Sequence, residues 1–214
     1  MAHPSSLDSR LELYWIPLGA GARIVRASGK AYEALSAAIA RRGRQDLYHS
    51  ALVAHTAGGR YCIEMAPVPD AFGDTRGVVA EGPVYVKALG RFRVFRYEVR
   101  RWLDGEIPDL PYAVASPVLI TEKTSEVRDV LDLLPLVPTL AWGRDELRTG
   151  DMWNSNSVTS WVLAQAGLLG AAGRPPMNGR APGWDAGVEA ARRQMQRVPS
   201  SSSERDVAVV STTR

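Results

Sequence analysis

The stretch LYHSALVAHTAGGRYCIEMAP, residues 47–67, decides how the rest of the chain is read. From Leu47 to His55 it follows the pattern of a strand with one buried face, because successive strand side chains point to opposite sides. TAGG supplies the glycines of a tight reversal, and RYCIEMAPV returns as a second strand. The segment predicts a β-hairpin that opens at His49. His49 and His55 fall on one face, about 20 Å apart along six residues of strand, so at most one of them can serve a given site.

Upstream, the short apolar run LYWIPL is followed by Ser28, which can cap a helix whose apolar positions Tyr32, Leu35 and Ile39 keep a 3.6-residue period until RRGR ends it near Gly43. Downstream, VYVKALGRFRVFRYEVRRW (84–102) alternates apolar and basic residues over much of its length, with a bend at Gly90, and YAVASPVLITE predicts a further strand. Past Thr124 the chain is expected to be helical in two short pieces broken by Pro135 and Pro138. VTSWVLAQAGLL then places Val158, Trp161, Val162 and Leu169 on one face of a buried helix that ends at Gly167 or Gly170. GRPPMNGRAPGW must be a loop, and Asp185 can cap a last helix, AGVEAARRQMQRV. The expected organisation is a flexible stretch over 1–10, one globular domain over 11–198 and a disordered tail over 199–214, where PSSSSERD has too little apolar surface to offset ordering. The expected fold class is α+β, with a mainly antiparallel sheet packed with helices.

Composition narrows the function classes. At 214 residues with 45% hydrophobic content the chain suits one well-buried core. Lysine occurs only at Lys30, Lys87 and Lys123, so arginine carries nearly all the positive charge, a bias that genome composition explains better than function does. A single cysteine, Cys62, excludes an internal disulfide and a multi-cysteine zinc site, which fits a reducing, cytoplasmic setting. No leader-like start is expected. The most apolar run, VLDLLPLVPTLAW, is interrupted by an aspartate and two prolines, so no membrane span is expected either. Arg91, Arg93, Arg96, Arg100 and Arg101 can form a basic stripe, but ion pairs with Glu98 and a solvated sheet face are the commoner use of such a pattern, and nucleic acid is set aside as a partner. GGR and LGAGA lack the spacing of a phosphate or dinucleotide fingerprint, and no cofactor or metal is expected.

DMWNSNSVTSW (151–161) holds the candidate chemistry. Asn and Ser are favoured helix N-caps, because their side-chain oxygens accept the free N–H groups of the first turn, and that alone accounts for the run. The sharper alternative makes Ser155 a nucleophile. At a helix N-terminus it would face unpaired N–H groups and the positive end of the helix dipole, with Asn154, Asn156 and Ser157 as oxyanion or supporting donors. His49 is then the candidate base. Glu64, on the return strand, is its candidate orienter, with Asp70 and Asp151 in reserve.

A histidine opening a hairpin, followed about a hundred residues later by WNSNSVTSWVL, resembles the circularly permuted papain-like proteins. These include the deSUMOylating isopeptidases of that fold and, more distantly, the lecithin:retinol acyltransferase-like proteins. The resemblance covers roughly residues 45–170. It implies a hydrolase or acyltransferase acting on amide or ester bonds, with a peptide, protein or lipid-like acyl substrate. This chain departs from the family by presenting Ser155 where the family has its cysteine. A serine hydroxyl gains little ionisation from a helix dipole and depends more on its base. Ser155 is therefore either an activated serine or a helix-cap residue in a non-catalytic binding domain on the same fold.

Overall fold

The structure is a computed structural model that describes residues 9–19, 41, 43–68, 77–176 and 179–197. The expected Ser28-capped helix, the tail from Pro199, His3 and Asp70 lie outside the described residues. Six strands form one antiparallel sheet: β1 (Arg10–Pro17), β2 (Tyr48–Thr56), β3 (Gly59–Pro67), β4 (Val78–Pro83), β5 (Arg96–Leu103) and β6 (Val118–Thr121), in spatial order β4-β5-β3-β2-β1-β6. The described residues also form three α-helices, α1 (Thr124–Leu133), α2 (Ser155–Gln165) and α3 (Trp184–Arg197). The expected α+β class with an antiparallel sheet is what the chain adopts.

The hairpin of residues 47–67 forms as read, with His55 opposite Arg60 and Thr56 opposite Gly59. Its reversal is tighter than TAGG implied. Only Ala57 and Gly58 lie outside the strands, and Gly59, at φ +123°, already belongs to β3. LYWIPL becomes the core of β1, which pairs with β2 from Arg10↔His55 to Pro17↔Tyr48 and with β6 on its other side.

Residues 84–102 do not form one bent strand. Only the part from Arg96 joins the sheet, as β5, while residues 84–95 leave it in two 3-10 turns, Lys87–Arg91 and Arg93–Phe95. The strand expected over residues 112–122 shrinks to β6, because Leu110–Tyr112 is a 3-10 turn, Ala115 has φ +47° and Pro117 has no N–H to give a ladder. Of the two helical pieces after Thr124, α1 is a helix and the second is the single 3-10 turn Leu134–Leu136. The last helix starts at Trp184, so Asp185 lies within its first turn and is not its cap.

One face of the sheet carries the helices. Leu11, Leu13 and Trp15 of β1, Tyr48, Leu52 and Ala54 of β2, Ile63 and Met65 of β3 and Tyr97 and Val99 of β5 share a core with Val127 of α1 and Val158, Trp161 and Val162 of α2. The other face holds a smaller cluster of Ile16, Ala51, Val53, Cys62 and Ile107. Helix α2 runs through the core and is buried from Asn156 to Leu163. Helix α3 lies against α2 at glycine distance: a Cβ at Gly187 would stand 2.1 Å from both Ser157 O and Ser160 Oγ. Such an approach is open only to glycine.

Candidate functional site

The start of α2 is built from interlocking hydrogen bonds. Asn154 is the N-cap and Ser155 is the first helical residue, so the cap is one position earlier than a reading centred on Ser155 requires. Asn154 Oδ1 accepts the Asn156 N–H at 2.9 Å, and Ser157 Oγ accepts the Asn154 N–H at 3.0 Å, a reciprocal capping box. The same side chains reach outward. Asn154 Nδ2 donates to Pro182 O at 2.7 Å, Ser157 Oγ to Gly183 O at 2.7 Å and Ser160 Oγ to Trp184 O at 2.7 Å, which ties α2 to the entry of α3. Asp151 Oδ2 accepts the Gly183 N–H at 2.6 Å from the same turn, and burial pushes its carboxyl up against these backbone donors.

Asn156, 2% exposed, fastens the helix to the sheet. Its Oδ1 accepts from Ser50 Oγ at 2.8 Å, and its Nδ2 donates to Tyr48 O at 2.9 Å and to Pro182 O at 2.8 Å. The β2–β3 ladder runs only from Thr56↔Gly59 to Leu52↔Ile63, so the Tyr48 carbonyl lies beyond it and takes its donor from this amide. Asn156 commits both amide N–H groups to carbonyls and so is not the oxyanion donor that the catalytic reading assigned to it, while Asn154 commits one of its two to Pro182 O. Ser157 is likewise occupied.

The expected triad is not assembled, because strand alternation works against it. Ser50 is the β2 residue that meets α2, so His49, one residue earlier, projects from the opposite face together with Ala51 and Val53. There it sits opposite Ile16 of β1. Burial holds its imidazole below the ordinary histidine range, with Asp109 pulling the other way. Glu64 is on that face too, but its carboxylate accepts from Arg100 Nη1 at 3.0 Å. Arg100 also donates through Nε to Glu98 at 3.0 Å, so a buried guanidinium joins two carboxylates across β3 and β5. The half-buried Ser155 hydroxyl has no hydrogen-bond partner among the described residues.

Two other residues on the His49 face of the sheet are firmly anchored. His55 lies 3.2 Å from Glu12 Oε2, in a cluster where Arg10 and Tyr14 also donate to Glu12. Burial and the Glu12 hydrogen bond push the Tyr14 phenol up to about 12. Cys62 is fully buried and its thiol donates to Gly105 O at 3.0 Å; burial raises its pKa, the reverse of an activated nucleophile. No group of three His, Cys, Asp or Glu side chains suited to a metal ion occurs among the described residues.

A different surface carries the unpartnered chemistry. From Tyr85 to Phe95 every residue except Leu89 and Gly90 is exposed, and neither 3-10 turn buries a side chain. Val94 is 76% and Tyr85 62% exposed, with Val86, Phe92 and Phe95 exposed beside them. Elsewhere the exposed large apolar residues are scattered along the chain, as on any protein surface. Next to this excursion a cleft of about 570 Å³ lies between residues 85–88 and the loop 144–148. Lys87 crosses it to Glu146 at 2.6 Å. Burial opposes ionisation of Glu146, but Lys87 and the Ala141 N–H outweigh it and hold the carboxyl below its usual range.

The basic residues of this segment are evident in the sequence, but its alternation is that of a strand, and only the part from Arg96 pairs in the sheet. No helix of the described residues is long and apolar enough to cross a membrane. Comparison of the chain with protein-family models, with curated proteins and with solved structures finds no match, so what this surface does rests on its own geometry.

Proposed function

We propose that the chain is a non-catalytic binding domain, in which the Asn154–Ser157 run locks α2 in place and residues 84–95 meet the partner. The observation that carries this reading is the hydrogen bond from Ser50 Oγ to Asn156 Oδ1. It turns Ser50 toward α2 and His49 away from it, so Ser155 has no base on the strand beside it. A serine without a base is a poor nucleophile, since its hydroxyl keeps its proton at neutral pH. The permuted papain-like scaffold belongs to the same proposal; what supports it is the helix N-terminus seated against the hairpin strand, in the order hairpin first and helix later. A soluble, cytoplasmic setting accords with the single buried thiol.

The test is labelling by a serine-directed fluorophosphonate. Wild type and Ser155→Ala are expected to give the same background, with no adduct on Ser155 by peptide mass analysis. Labelling of wild type that disappears in both Ser155→Ala and His49→Gln would restore the hydrolase or acyltransferase reading and remove this one.

A further inference from the structure

The excursion 84–95 and the cleft beside it share one chemical character. No aspartate or glutamate occurs between Glu81 and Glu98, while Lys87, Arg91, Arg93 and Arg96 all fall in that interval. Arg91 lies over the Phe92 ring, 4.7 Å from its centroid, so cation and apolar surface are presented together. Lys87, Arg93 and Arg96 are paired with Glu146, Glu98 and Glu81. Arg91, Arg144 and Arg148 have no hydrogen-bonded carboxylate among the described residues.

The acids lining the cleft are already occupied. Asp145 accepts the N–H groups of Thr149 and Gly150 at 2.9 Å each, and Glu146 accepts from Ala141 N and Lys87. The three cations of the cleft, Lys87, Arg144 and Arg148, outnumber its two carboxylates, Asp145 and Glu146, and Arg144 and Arg148 are the cations with no paired carboxylate among the described residues.

The shape then selects among anionic partners. Tyr85 and Val86 border the cleft, while Phe92, Val94 and Phe95 are exposed at and after the junction of the two 3-10 turns, outside the cleft lining. A folded protein would need a separate pocket for each. A lipid interface takes them all without one, because apolar side chains sink about 5–10 Å into the headgroup and acyl boundary while cations stay at the phosphates. We infer that residues 84–95, with Arg144 and Arg148, dock this domain on an anionic phospholipid surface. This deepens the binding-domain reading and rests on it: the apolar tips insert, and the free guanidiniums meet lipid phosphates. Contact is peripheral and reversible, and no helix of the described residues is long and apolar enough to cross the bilayer.

The experiment is co-sedimentation of the full chain with vesicles of phosphatidylcholine alone and of phosphatidylcholine mixed with phosphatidylglycerol. Binding is expected only to the mixed vesicles and to fall with salt. Arg144→Glu with Arg148→Glu should weaken it by more than about fivefold, the effect of a single juxtamembrane cation. Val94→Asp with Phe95→Asp should weaken it at least as much, with an unchanged melting temperature because both side chains are exposed. A Phe92→Trp variant should shift its emission to the blue on mixed vesicles and be quenched by brominated acyl chains.

Absence of sedimentation with mixed vesicles, equal sedimentation with both kinds, or indifference to the two double variants would overturn the inference. So would binding of polyglutamate, or self-association by ultracentrifugation, that depends on Val94 and Phe95 while vesicles do not bind; the occupant would then be an acidic protein or a second copy. These failures are separable from failure of the binding-domain reading, which is decided by fluorophosphonate labelling of Ser155.

Discussion

Asn156→Ala is the perturbation that most sharply separates a structural helix start from a catalytic one. The substitution removes an acceptor from Ser50 Oγ and a donor from Tyr48 O, both in a region sealed by the sheet and by α2. Pro182 O suffers less, because Asn154 Nδ2 still donates to it at 2.7 Å. Two buried polar groups left without partners cost about 1–3 kcal/mol each, so the expected loss is about 2–6 kcal/mol before any cavity contribution. That is a large share of the roughly 5–15 kcal/mol by which a domain is ordinarily stable. Asn154→Ala removes the cap and should cost about 0.5–2 kcal/mol. Ser155→Ala removes a hydroxyl with no partner among the described residues and should stay within about 0.5 kcal/mol.

The assay is urea denaturation followed by far-ultraviolet circular dichroism, with the three variants compared at equal m-value so that midpoint differences report stability. Should Asn156→Ala fail to fold, Ser50→Ala reports on the same hydrogen bond by leaving Asn156 Oδ1 unpaired, at about 1–3 kcal/mol. The expected order of loss is Asn156, then Asn154, then Ser155. A loss at Ser155→Ala that matched or exceeded that at Asn156→Ala would refute it, because the hydroxyl would then hold a position the hydrogen-bond network does not give it.

Ser155→Cys in a Cys62→Ala background should be alkylated by iodoacetamide with a pH profile unaltered by His49→Gln; a profile that moves with His49 would mean that the two groups are coupled after all. The lowered pKa of His49 sets the sign of a pH effect. The unfolded chain takes up the proton first, so this contribution to stability is full above the unfolded value near 6.5 and declines as pH falls through it toward the folded value. The stability difference between pH 7.5 and pH 5 should therefore shrink in His49→Gln, and an undiminished difference would be the contrary result. Arg100→Ala should cost about 3–5 kcal/mol, since it leaves the buried Glu98 with Arg93 as its remaining cation, and a urea midpoint close to wild type would count against the network. Gly187→Ala should destabilise by about 1–3 kcal/mol or more, because the new methyl meets the backbone of α2, whereas Gly170→Ala, with nothing within 4 Å, should be neutral or slightly stabilising in the same thermal melt.

What the sequence disclosed follows from how far each signal reaches along the chain. The β2–β3 hairpin and α2 were legible because alternation, a glycine turn and a capping run are local. The face on which His49 lies was not. A period of two says which residues share a face, and it grouped His49 with His55 correctly, but it cannot say which face meets the helix. That choice is made by Leu11, Leu13 and Trp15 on β1 and by Asn156 on α2, all distant in sequence. Residues 84–95 misled for a related reason: apolar and basic residues alternate there as in a strand, yet the segment is the connection between the paired strands β4 and β5 and leaves the sheet in two 3-10 turns. Glu64 does share a face with His49, but its pairing with Arg100 depends on the β3–β5 register, which no local pattern encodes.

The position of β1 between β2 and β6 has a consequence for how the molecule comes into being. The hairpin of β2 and β3 can close as soon as it is made, but β1 gains its second neighbour only when Val118–Thr121 exists, and the Ser50–Asn156 bond bridges 106 residues. Translation at about 5–20 residues per second leaves an interval of roughly 5–20 s between synthesis of β1 and of β6. Throughout that interval Leu11, Leu13 and Trp15 form an apolar strand with an open edge, available to a neighbouring nascent chain as readily as to their own. Yield on refolding should accordingly fall with protein concentration, and a β6 peptide, residues 116–123, added in excess during refolding should compete for the vacant edge of β1 and slow the last step.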